Sequence, residues 1–139
     1  MDKCALVKIE TDIEGAMREA LDLIGGFGDL ASPFLVKPNI CAGTDLTQCA
    51  NTDVKLVETL IKLALEEKGD LSVKIIESNS MSKYAMKALE KFGYLDLEKR
   101  MKEQDLDVTC VDLSQPPFME FDFEGLYFKN PKLHGILHE

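Results

Sequence analysis

Apolar residues along the chain follow two different periods, and the switches between them divide it into elements. Ala5 to Ile9 is a short apolar run rich in branched side chains, which predicts a first strand. Ile13, Met17, Ala20, Leu21 and Ile24 then recur at helical spacing. Thr11 and Glu14 form a capping box at the start of that helix, and Gly25-Gly26 supplies a left-handed stop at its end. Phe34-Leu35-Val36 reads as a second strand, closed by Lys37-Pro38-Asn39, because proline removes a donor and holds the preceding residue extended. Neither period is visible from Ile40 to Thr52. A second helix carries Val54, Val57, Leu60, Ile61, Ala64 and Leu65 on one stripe, pairs Glu58 with Lys62 on its wet side, and stops at Gly69.

Ser72 to Glu77 predicts a third strand, followed by a polar turn, Ser78-Asn79-Ser80, able to cap a helix. Ala85, Ala88, Leu89 and Phe92 carry a third helix to Gly93, a shorter one covers Leu95 to Gln104, and Val108 to Leu113 is a fourth strand. Strands alternating with helices across long connections are the mark of right-handed crossovers and a parallel sheet. The expected fold class is therefore α/β, an open and mainly parallel sheet of about four strands flanked by helices. The pattern changes at Pro116-Pro117. From Phe118 to Phe123 apolar and acidic residues alternate, and Glu124-Gly125 can turn this run back into Leu126-Tyr127-Phe128 as a C-terminal β-hairpin. Residues 1–139 are read as one α/β domain, a length that can bury a sizeable core.

Charge narrows the partners. The formal net charge is -9, from 25 acidic against 16 basic residues, so nucleic-acid phosphates and anionic lipid are repelled. No apolar run approaches the roughly 18 residues of a membrane span. Met1 to Lys8 lacks the basic, apolar and small-residue progression of a signal peptide, and a cytoplasmic location is expected. In that setting Cys4, Cys41, Cys49 and Cys110, with no C-x-x-C pair among them, are expected as reduced thiols.

An open parallel sheet binds ligands beyond the carboxyl ends of its strands. Those ends carry Lys37 and Asn39, then Glu77, Ser78 and Asn79, then Asp112 and Ser114. A lysine, a carboxylate and several amides on one rim suit an anionic small molecule or a hard cation, and Lys37, Asn39, Glu77 and Asn79 are the candidate ligand-binding residues. Each is equally an ordinary turn residue. The loop after the second strand is long for such a connection, which favours function. Cys41 and Cys49 lie in it, but zinc and iron–sulfur sites use tight cysteine pairs and four ligands. Cys110, in mid-strand, is expected as a small core residue. His134 and His138 lack the intervening glutamate of a metalloprotease helix. Gly25, Gly26 and Gly28 follow a helix rather than a strand, so no phosphate loop is present, and no metal-binding residues are assigned.

With these elements placed, the chain resembles the domain-of-unknown-function family 362. The resemblance rests above all on F-L-V-K-P-N-I at 34–40. A-L-V-K at 5–8, L-D-L-I-G-G-F at 21–27, the helix from Thr52 to Leu65, K-I-I-E-S at 74–78, K-F-G-Y-L-D-L at 91–97 and D-V-T-C-V-D-L at 107–113 follow in the family's order. It implies an iron–sulfur-associated, redox-linked context. Family members carry clusters on separate ferredoxin-type cysteine motifs that this chain lacks, so no iron–sulfur cluster is expected on it. A fold-level likeness of the family to the N-terminal part of nickel-dependent lactate racemases implies a small-molecule or metal-linked activity. Lys37, Pro38, Asn39 and Glu77 match the family pattern. The match covers the N-terminal part of the family's longer domain, which implies that this chain is the first half of such a domain.

Two kinds of function follow. One is a binding or catalytic domain in which Lys37 meets an anionic ligand, Asn39 donates hydrogen bonds and Glu77 acts as ligand or base. The other is a noncatalytic assembly module that completes its sheet as a homo-oligomer, with Phe121, Phe123 and Tyr127 in the contact. On either reading the purified chain is expected to be colourless and to form no internal disulfide. Visible absorbance with about four irons per chain after anaerobic purification would overturn the first expectation, and non-reducing mass analysis checks the second.

Overall fold

The computed structural model describes residues 3–10, 12–40, 50–79, 84–123, 125–127 and 129–137. Helix α1 (Ile13–Ile24) precedes strand β1 (Phe34–Val36), and helix α2 (Val54–Glu67) leads to β2 (Val73–Glu77). Helices α3 (Ala85–Lys91) and α4 (Tyr94–Lys102) lead to β3 (Val108–Asp112), and a ribbon of β4 (Phe118–Glu120) and β5 (Lys132–His134) follows. The first three strands form one parallel sheet in the order β1-β2-β3, and β4 and β5 pair antiparallel. The α/β class and the C-terminal strand pair match the sequence reading.

Strand order accounts for the layers. Each right-handed crossover moves one strand in the same direction, so both deliver their helices to the same face of the sheet. That face carries Val36, Val73, Ile75, Val108 and Cys110, and they form one core with Val57, Ile61 and Ala64 of α2, Ala88 and Leu89 of α3, and Tyr94, Leu97 and Met101 of α4. The opposite face carries Leu35, Lys74, Ile76, Thr109 and Val111, of which only Ile76 is fully buried.

Local chemistry sets the helix ends. Thr11 of the expected capping box lies outside the described residues, and Asp12 is the cap instead, its carboxylate accepting from the N–H groups of Glu14 and Gly15. Gly25 ends α1 with φ 102°, and Gly25 and Gly26 both donate to Leu21 O. A side chain at Gly25 would be strained. Helix α1 has no fully buried residue; it leans on α2, where Arg18 reaches Glu66 at 2.6 Å. That contact explains Leu63, buried although off the predicted stripe: it lines a cavity of about 400 Å3 shared with Leu21 and Phe27. The expected Glu58–Lys62 pair is present at 2.8 Å, and Arg100 of α4 joins it at 2.7 Å.

Two expectations need correction. Ala5 to Ile9 forms no strand, and Leu6 is 98% exposed. Branched residues favour a pleated surface only where a neighbouring strand supplies hydrogen bonds and side-chain contacts, and this segment has no ladder partner. The parallel sheet therefore has three strands among the described residues. The hairpin uses a different second arm: Phe118 faces His134, Met119 faces Leu133 and Glu120 faces Lys132, rather than pairing with residues 126–128. Phe121 N–H on Pro131 O and Asn130 N–H on Phe123 O extend that register, so the connection is longer than the Glu124-Gly125 turn. Glu124 and Phe128 themselves lie outside the described residues.

The fold assigns opposite roles to two similar residues. Ile61→Ala, which empties a fully buried site, is expected to cost about 3 kcal/mol in urea unfolding. Leu6→Ala is expected to stay within about 0.5 kcal/mol of the parent protein.

Candidate functional site at the strand ends

The strands of a parallel sheet all finish on the same side, so the residues that follow β1, β2 and β3 share one rim. Lys37 directly follows β1, and Glu77 closes the central strand β2. Their side chains meet across the sheet: Lys37 Nζ donates to Glu77 Oε2 at 3.0 Å and to Pro38 O at 3.2 Å. The two partners are unequally placed. The Glu77 side chain is 5% exposed and the Lys37 side chain 52%. A carboxylate this deep must have its acceptors met. Its second oxygen takes the N–H of Ser78 at 2.8 Å. Glu77 thus holds Lys37 at the rim, with the lysine side chain half in solvent.

Asn39 lies on the same rim and closes a loop. Its backbone N–H donates to Thr52 Oγ1 at 2.9 Å, its carbonyl accepts from Thr52 N–H at 2.8 Å, and its side-chain Nδ2 donates to Ala50 O at 2.6 Å. These bonds pinch the neck of the long polar loop. Residues 41–49, including Cys41 and Cys49, lie outside the described residues. Asn79 performs the matching task after β2. Its N–H donates to Ser114 Oγ at 2.6 Å, and its side-chain Oδ1 accepts from Ala85 N–H at 2.8 Å, satisfying the first donor of α3 from six residues upstream. Asp112 in turn accepts from the Ser114 N–H at 2.8 Å. The expected capping turn is therefore present in Asn79, while Ser80 lies outside the described residues.

The sequence did not single out Tyr94 or Thr52. Tyr94 is fully buried at the start of α4, entered through Gly93 at φ 82°, and its hydroxyl donates to Thr52 O at 2.8 Å. Burial raises its phenol well above the ordinary range, with the carboxylates of Asp53 and Glu77 adding negative charge nearby. The signal for it was faint: an aromatic residue directly after a helix-linking glycine. Cys110 is the core residue expected; its thiol donates to Tyr94 O at 3.5 Å and is pushed up to about 12, chiefly by burial. His134 is buried in the ribbon, where Nδ1 accepts from Ile136 N–H at 3.2 Å and the ring meets Phe118 edge-on; His138 lies outside the described residues.

No cluster of three or more His, Cys, Asp or Glu side chains able to hold a metal occurs among the described residues. A cavity of about 220 Å3 touches the rim at Asn51, Thr52 and Asp53. No helix among the described residues is long and apolar enough to cross a membrane.

No family model, curated protein or solved structure matches this chain. The comparisons therefore lend the expected family resemblance no support, and the chain is described by its own architecture: an open parallel α/β domain with a lysine–glutamate pair at the carboxyl rim.

That pair has a measurable strength. Lys37→Met leaves Glu77 with the Ser78 N–H alone, whereas Glu77→Gln keeps a neutral acceptor. A double-mutant cycle of these two changes in urea unfolding is expected to give a coupling of about 1 kcal/mol, kept modest because Lys37 is half in water. A coupling indistinguishable from zero would show that the contact is incidental.

Proposed function

We propose that this domain binds a small anionic molecule at the carboxyl rim of its sheet, with Lys37 as the charged anchor. The observation that carries this reading is the half-exposed Lys37 ammonium held in place by the buried Glu77 carboxylate at the end of the central strand. A cation fixed by a partner beneath it loses less side-chain freedom on meeting an anion than a free surface lysine does. Asn39 and Asn79 contribute by shaping the loops on either side, since their side chains already bond Ala50 O and Ala85 N–H.

A second reading has its own observation. Phe118, Met119, Phe123, Leu126, Tyr127 and Leu133 are exposed on the C-terminal segment, which supports a noncatalytic assembly module that covers them by self-association. Light scattering separates the two. A concentration-dependent rise in mass that Phe123→Ser with Tyr127→Ser removes favours assembly, while a constant mass with a ligand response favours the rim.

The rim itself is tested by melting the protein with inorganic phosphate and with two- and three-carbon carboxylates. A probe present at ten times its Kd stabilises by about 1.4 kcal/mol, expected here as a rise of about 4 °C in Tm. Lys37→Ala should abolish the rise and Lys8→Ala, which removes a lysine paired with Glu10 on the N-terminal segment, should keep it. A rise that survives Lys37→Ala, or no rise with any probe, would overturn the proposal.

A further inference from the structure

Strand β3 ends the sheet among the described residues, and three groups on its outer edge are satisfied by the chain itself. Val73 N–H bonds Asp107 O, and Leu113 N–H bonds Glu77 O, so the odd-numbered residues there face β2. Val108, Cys110 and Asp112 consequently turn their peptide groups outward. Each end of that edge folds back locally: Val108 N–H donates to Leu106 O at 3.0 Å, and Asp112 O accepts from Gln115 N–H at 3.1 Å. The middle is closed from a different element. Cys110 N–H donates to Glu98 Oε2 of α4 at 2.8 Å, where the carbonyl of a neighbouring strand would otherwise sit. The other carboxylate oxygen is occupied by Lys102. A cavity of about 570 Å3 runs beside this edge, lined by Met86, Leu95, Glu98, Lys102 and Cys110.

We propose that Glu98 is an edge latch: its carboxylate takes the central outward N–H of β3 and so blocks antiparallel pairing of that edge with the β3 edge of a second copy. Identical edges are self-complementary about a two-fold axis, so a second copy is the partner always at hand. Exposed donor rows invite such pairing, and native chains cover them. A helix-borne carboxylate does so with a stronger acceptor than a peptide carbonyl. Burial alone would push the Glu98 carboxyl up, but Lys102 and the Cys110 N–H outweigh it and hold it below the ordinary range. The latch is therefore charged at neutral pH. This role is independent of any ligand at the rim.

The test is light scattering over a concentration series, with amide exchange at Cys110 measured on dilute samples. Glu98→Ala is expected to raise the mass about twofold over the parent protein at high concentration, and to speed Cys110 exchange when dilute. Glu103→Ala, which removes an exposed carboxylate just beyond the same helix and leaves Glu98 on Cys110, is expected to match the parent in both. If Glu98→Ala does not fold, Glu98→Asp decides, since its shorter side chain retracts the acceptor but keeps the charge. A folded Glu98→Ala or Glu98→Asp protein with parent-like mass throughout overturns the proposal, as does equal association by Glu103→Ala.

Discussion

Strand β2 is the member on which the rest of the domain depends. It is paired on both edges, with Phe34 to Val36 on one side and Val108 to Asp112 on the other, and Val73 and Ile75 within it are wholly buried. A strand bonded on both sides has no freedom to slip, because a shift of one residue would send Val73 and Ile75 to the opposite face. Fixing β2 fixes the helices as well. Both crossovers start or end on it and share one hand, so α2, α3 and α4 meet over the same surface and bury one core.

The rim is a by-product of that arrangement. Parallel strands must release their chain on a common side, and there the polar residues after β1, β2 and β3 converge. Most are used to hold loops: Asn39 and Thr52 pinch one neck, and Asn79 and Ser114 tie another. Lys37 and Glu77 differ in being matched in charge and mismatched in depth. Desolvating Glu77 is tolerable because Lys37 and the Ser78 N–H complete its hydrogen bonding, and that demand fixes the ammonium at the rim.

The C-terminal ribbon stands outside this logic. Its two arms are three residues each, and every residue of β4 is exposed. A two-stranded ribbon is marginal by itself in water. Its anchor is His134, buried against Phe118 and bonded to Ile136, followed by Gly135, whose N–H donates to Pro117 O. The large apolar side chains beyond that anchor remain in solvent, a different treatment of apolar surface from the edge of β3, where a charged group from α4 closes the open donor.

The element types and most of their limits could be read from the sequence, because they depend on neighbours within a turn or two. The apolar stripe of α2, the Gly25-Gly26 stop, the Glu58–Lys62 pair and the end of β2 at Glu77 all follow from local spacing and local backbone sterics. The approach of Lys37 to Glu77 could be anticipated in part, since parallel topology alone puts strand ends together. Contacts between distant segments decided the rest. Ala5 to Ile9 has a strand's composition but no ladder partner; β4 chose residues 132–134 over 126–128, and no local signal ranks those two arms. Tyr94 on Thr52 and Glu98 on Cys110 join residues separated by whole elements. Periodicity shows which side of an element is apolar, whereas only the assembled fold determines which polar group meets which buried donor.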